Sequence, residues 1–93
     1  ASDVYKRQVE MWCHEDRARA IKKYGHISRW NTWRVTNMHG LFSYKSYFND
    51  DIGKWDVRNV KDMSCMFYHA RAFNRRIGQW NVAKVTNMSN MFS

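Results

Sequence analysis

The stretch IGKWDVRNVKDMSCMF (52–67) returns 25 residues later as IGQWNVAKVTNMSNMF (77–92). Residues 52–68 and 77–93 agree at nine positions: Ile, Gly, Trp, Val, Val, Met, Ser, Met and Phe. Chance gives about one, so the repeat is real. A more divergent copy precedes them, HISRWNTWRVTNMHGLF (26–42). Superposed, the copies give columns: Ile27/Ile52/Ile77, Trp30/Trp55/Trp80, Val35/Val60/Val85, Met38/Met63/Met88 and Phe42/Phe67/Phe92. Phe48 pairs with Phe73, and Asn49 with Asn74. A period of this length means stacked units that bury their apolar faces jointly.

Within a unit the apolar spacing changes character. Val60, Met63, Met66, Phe67 and Ala70 read as one face of a short helix, with Asn59 as its cap. Phe73, Ile52/Ile77 and Trp55/Trp80 sit with Gly53 and Gly78 in a more extended stretch, read as a turn and a short strand. The expected fold is α/β: a short right-handed solenoid of 25-residue strand-plus-helix coils, leucine-rich-repeat-like. Its strands would align as a parallel ladder about 4.8 Å apart. The expected core is Ile52, Trp55, Val60, Met63, Phe67, Phe73, Ile77, Trp80, Val85 and Met88. Stacking in this register would set Asp50 beside Arg75 and Asp51 beside Arg76.

The string I-x-x-W-D/N-V-x-x-V-x-D/N-M-S-x-M-F, with ARAFN at 70–74, resembles the repeat of the BspA-like leucine-rich-repeat surface proteins. These are also described as Mycoplasma-type surface lipoprotein repeats. The resemblance covers about residues 24–93, and the first copy departs from it with Thr32 and Trp33. It implies an α/β solenoid, a role in surface adhesion or protein binding, a cell-surface or extracellular location, and no catalytic residues.

Residues 9–25 lie outside the repeat. Val9, Trp12, Cys13, Ala20, Ile21 and Tyr24 form one helical stripe, while Lys22, Lys23 and Gly25 are helix-ending signals. This segment reads as an N-terminal capping helix that packs Trp12 and Ile21 on the first coil. Residues 1–8, ASDVYKRQ, fit neither pattern and are set aside as a non-native or disordered leader. The rest, 26–93, is about 2.7 repeats: 27–51, 52–76 and a truncated 77–93. Both ends read as cuts through a longer array. Met88, Met91 and Phe92 should be less covered than Met63, Met66 and Phe67, and the open last coil should favour self-association.

Composition sets outer bounds. A chain of 93 residues suffices for one domain. A hydrophobic fraction of 44% excludes a disordered polyelectrolyte. No apolar run approaches the roughly 18 residues of a membrane span. Two cysteines, Cys13 and Cys65, are too few for a disulfide scaffold.

Catalytic and metal chemistry find little support. Cys13, His14, Cys65 and the other histidines lack ligand spacing, so no cofactor is expected. Cys65 and His69 stand four apart, as a helix would pair them, but nothing orients the imidazole. Asp50, Asp51 and Asp56 suggest calcium, yet the next repeat places Arg75 and Arg76 where two of them stood. Asn49/Asn74 reads as an asparagine ladder, and Asn31/Asp56/Asn81 and Asn37/Asp62/Asn87 as turn positions.

The charge is the remaining signal. The whole chain carries +8, and residues 27–93 hold ten Lys/Arg against four Asp. Arg29 and Lys54 share a column, Arg34 and Lys84 another, with Arg58 one position away; Trp33 adds an aromatic. These five cations are the candidate basic binding face. The expected function is a non-enzymatic repeat module for protein or cell-surface interaction, its partner a protein or an acidic surface glycan. The alternative is a basic polyanion- or nucleic-acid-binding protein, disfavoured for nucleic acid because no recognised binding motif accompanies the charge.

Overall fold

The computed structural model describes residues 2–93, with side chains from residue 4 onward. Residue 1 of the segment set aside as a leader lies outside the described residues. The remainder of that segment is helical: α1 spans Ser2–Glu10. A single π-helical turn, Met11–Glu15, follows, and α2 spans Arg17–Tyr24. Asp16 separates them in an extended conformation and caps α2, accepting a hydrogen bond from the Arg19 N–H at 3.0 Å. Gly25 closes α2 at φ 79°.

The expected single stripe over 9–25 is therefore broken. The π-turn and the Asp16 kink reset the helical phase. Val9, Trp12 and Ala20 are buried, but Ile21 turns outward at 43% exposure. Trp12 packs the helices on the first repeat, edge-on to His26 and Trp30 with ring centroids 4.9 and 6.0 Å away. Its indole N–H donates to Asp50 at 3.0 Å, which also receives Arg17 at 3.3 Å. Lys45 pairs with Glu10 across the same junction.

The α/β solenoid of strand-plus-helix coils is not what the chain forms. Its regular secondary structure is all-helical, α1 and α2, with a short 3-10 turn at Ile27–Arg29. Among the described residues there is no strand or sheet. Residues 30–93 hold turns and two isolated parallel bridges, Asn37 to Asp62 and Asp62 to Asn87.

The physical reason lies in how the backbone donors divide. In the segment expected to be helical, N–H groups alternate between two kinds of acceptor. Met66, Tyr68 and Ala70 each donate three residues back, to Met63, Cys65 and Phe67. Met63, Cys65, Phe67 and His69 donate instead to Asn87, Ser89, Met91 and Ser93 of the next repeat, at 2.9–3.1 Å. The preceding repeat does the same: Met38, Gly40, Phe42 and Tyr44 reach Asp62, Ser64, Met66 and Tyr68. Consecutive β-turns thus form one rung per repeat. No run of i→i−4 bonds develops, and the chain reverses too often to extend a strand. Positive φ recurs at Gly40, Tyr44, Cys65, His69 and Asn90, at the third residue of every other turn, as a type II turn requires.

Asparagine and aspartate set these turns. Asn37, Asp62 and Asn87 each accept the N–H two residues on, at 2.8–3.0 Å. Asn31, Asp56 and Asn81 do so at 3.1–3.5 Å. The Asn49 side chain accepts the Asn74 N–H at 2.8 Å, one rung away.

The apolar columns face inward and stack. Phe42, Phe67 and Phe92 lie nearly parallel, 5.6 and 5.4 Å apart, and Phe48 stacks on Phe73 at 5.7 Å. The Trp55 and Trp80 indoles donate to the Ile27 and Ile52 carbonyls one rung behind, at 2.7 and 3.0 Å. Ile52, Trp55, Val60, Met63, Phe67 and Trp80 are buried, while Phe73, Ile77 and Val85 are half-buried. Met88 departs from the expected core list, 44% exposed on the last rung, and Phe92 is exposed beside it, although Met91 is buried.

The expected carboxylate–arginine pairs between rungs do not form. Asp50 is held by Trp12 and Arg17, and Asp51 accepts the Gly53 N–H at 2.9 Å. Arg75 donates to the Asn49 carbonyl at 2.7 Å instead.

Candidate functional site

Trp33 stands where the first repeat departs from the others. Thr32 beside it is buried and donates to the Asp56 carbonyl at 3.0 Å, which turns Trp33 outward. The indole remains 37% exposed. The Arg34 guanidinium lies over its ring at 4.8 Å from the centroid, and that of Arg58 at 5.7 Å. Each contact orients a cation that would otherwise sample many rotamers. Arg58 also pairs with Asp56 at 3.4 Å.

A polar chain crosses the three rungs below this cluster. The Asn59 amide donates to the Trp33 carbonyl at 2.6 Å and accepts from the Lys84 ammonium at 3.0 Å. Lys61 is fixed by its backbone: its N–H donates to Thr36, and its carbonyl accepts from Thr86. Trp33, Arg34, Thr36, Asn59, Lys61 and Lys84 line a shallow groove of about 500 Å³.

The five cations of the sequence reading thus divide. Arg34, Arg58 and Lys84 converge on Trp33. Arg29 and Lys54 lie elsewhere, about a smaller hollow of about 200 Å³ that they share with Ser28 and Asp51. The sequence reading missed Lys61, because its column is otherwise threonine, Thr36 and Thr86. Its place beside the Val column, one residue after Val60, was the available signal.

Other residues with chemistry are engaged structurally. Ser64 is buried, donates its hydroxyl to Asp62 at 2.6 Å and meets His39 Nδ1 at 2.7 Å. The hydroxyl proton being committed to Asp62, His39 supplies the proton of that contact. Together the Ser64 hydroxyl and N–H hold the Asp62 carboxyl below the usual range, with His39 adding to the effect. Cys65 and His69 are not placed by a helix; both have positive φ. His69 packs on Tyr44 and Tyr68, with centroids 5.2 and 4.3 Å away. Burial pushes the Cys13 thiol up to about 11, against the opposing influence of Lys45 and Arg17. Among the described residues, no three His, Cys, Asp or Glu side chains are grouped to hold a metal. No helix among them is long and apolar enough to cross a membrane. A hollow of about 530 Å³ over the last rung is lined by Phe67, Ala70, Phe73 and Phe92 together with His69, Arg71 and Ser93.

Rungs of turns on a helical N-terminal segment, with one basic aromatic groove, define a small repeat domain. The chain belongs to the family described as "Mycoplasma protein of unknown function, DUF285", whose model matches residues 13–93. No curated protein and no solved structure matches it.

Proposed function

We propose that this chain is a non-enzymatic module for protein or cell-surface interaction, of the adhesion type. The single observation that carries this reading is the division of labour among its polar side chains. Those between rungs are spent on turns and register, as in the Asn37, Asp62 and Asn87 column. The groove beside Trp33 instead gathers exposed cations whose charge is largely free to meet a partner. Membership of the family supports the repeat character, and the likeness of its W/V/M/MF string to BspA-like surface proteins supports the surface role. The module acts by holding a partner against a preformed face, so its side chains bind and no bond is made or broken.

The test is saturable binding of the fluorescently labelled chain to cultured epithelial cells, competed by unlabelled chain. The reading expects saturation and competition. Linear uptake with no competition contradicts it.

A second reading, a polyanion- or nucleic-acid-binding protein, is favoured only by the groove's charge. Three cations, Arg34, Lys61 and Lys84, line it, and Arg58 lies over the Trp33 ring at the groove's edge, paired with Asp56. Binding to single-stranded DNA with a steep salt dependence would support that reading.

A further inference from the structure

We infer that the Trp33 groove binds an acidic polysaccharide, a sulfated or uronate-rich chain laid along the stacking direction of the rungs. The inference rests on the interaction-module reading and names the ligand class of that site.

The cations come from all three rungs: Arg34 from the first, Arg58 and Lys61 from the second, Lys84 from the third. Rungs joined by backbone hydrogen bonds repeat at about 4.8 Å, so Arg34 and Lys84 are set about 10 Å apart along the stack. A linear polymer with an anionic group on each sugar can meet such a staggered row without bending. Among the described residues, Arg34 and Lys61 have no ion-pair partner, so their charge is available. The Asn59 amide and the Thr36 hydroxyl, lining the same groove, offer donors and acceptors to sugar hydroxyls.

Trp33 decides against single-stranded nucleic acid. Binding of that kind draws much of its affinity from bases stacked on free aromatic faces. Here two guanidinium groups already lie over the ring and compete with a base for it. The same arrangement suits sulfate and carboxylate, because a guanidinium placed over an indole keeps N–H groups that can donate to an anion. Duplex readout needs an element that enters a groove, and the face is built of turns.

The experiment titrates the full chain with heparin, hyaluronan, single-stranded DNA and poly-glutamate over a salt series. Heparin is expected to bind most tightly at equal salt. Arg34→Gln/Lys61→Gln/Lys84→Gln should weaken it at least tenfold and lower the log–log salt slope by about three, one for each cation removed. Arg29→Gln/Lys54→Gln/Arg76→Gln, which removes the same charge elsewhere, should weaken it no more than about twofold. Unchanged melting temperatures confirm that both variants fold. Equal losses in the two variants, tighter binding of DNA or poly-glutamate, or no heparin binding would each overturn the inference. Cell binding that survives the groove variant sinks the groove proposal alone. Loss of saturable cell binding by the unaltered chain sinks the module reading beneath it.

Discussion

Gly53 lies beneath the carbonyl of Arg76: a Cβ built on it would stand 2.5 Å from that oxygen. One repeat later, Gly78 has nothing within 4 Å of the same position. The two glycines share a column and differ in what is stacked over them. Gly53→Ala should therefore cost about 2–3 kcal/mol, since backbone must move to admit the methyl group. Gly78→Ala should fall within about 0.5 kcal/mol of the parent. Urea unfolding of both variants checks this, and equal effects would contradict the stacking.

The phenylalanine column makes a similar comparison. Phe67 is buried between Phe42 and Phe92, while Phe92 is 63% exposed. Phe67→Ala should cost about 3–5 kcal/mol, a large share of a small domain's stability. Phe92→Ala should cost about 1 kcal/mol or less, because less apolar area leaves water there. Thermal melts of the pair read the difference directly.

Acid should weaken the domain in part through Asp62. Its carboxylate accepts from the Ser64 hydroxyl and N–H, which lowers its folded pKa below the ordinary aspartate value of about 3.9. A lowered folded value means the contribution is complete above the unfolded pKa. It is lost as pH falls from about 5 through the folded value. Asp62→Asn keeps the turn, as Asn37 and Asn87 show, but gives up the charge-assisted bonds. The variant should be less stable at pH 7 by about 1 kcal/mol at most, solvent screening reducing the effect at this partly exposed site, and the gap should narrow as pH falls through the folded value. A stability gap that stays constant down to pH 2 would contradict this assignment.

Cys13 should be a slow thiol. Burial pushes it up to about 11, so at pH 8 only about a thousandth of it is thiolate. In a Cys65→Ser background, maleimide labelling of the native chain at pH 8 should run at least about a hundredfold slower than in urea. Comparable rates would show that the Cys13 thiol is not shielded by the fold.

The columns of the fold were legible because identical residues at a fixed period leave little freedom. Ile52, Trp55, Val60 and Met63 had to face the same way in each rung. The backbone that carries them was not legible from apolar spacing alone. Val60, Met63, Met66, Phe67 and Ala70 suit a helix and a run of β-turns equally, since both bring residues three apart to one side. The discriminating signal was polar. Gly40 and Asn90 share a column with Cys65, and that pair marks a left-handed position no helix interior has. Asn37, Asp62 and Asn87 mark the Asx turn that precedes it. Ile21 was misplaced because nothing local announces the π-turn that shifts its phase. Asp50 was misassigned because its partners, Trp12 and Arg17, come from outside the repeat. At the groove, Arg34 and Lys84 were legible by column and Arg58 and Trp33 as their neighbours, whereas Lys61 was hidden by two threonines.

Each repeat is a rung of turns bonded to the next rung, rather than a helix bonded to itself. Scalar couplings across hydrogen bonds, measured by NMR on the labelled chain, test it most directly. Couplings are predicted from the Met63, Cys65 and Phe67 nitrogens to the Asn87, Ser89 and Met91 carbonyls. Couplings from those same nitrogens to carbonyls four residues earlier would contradict it.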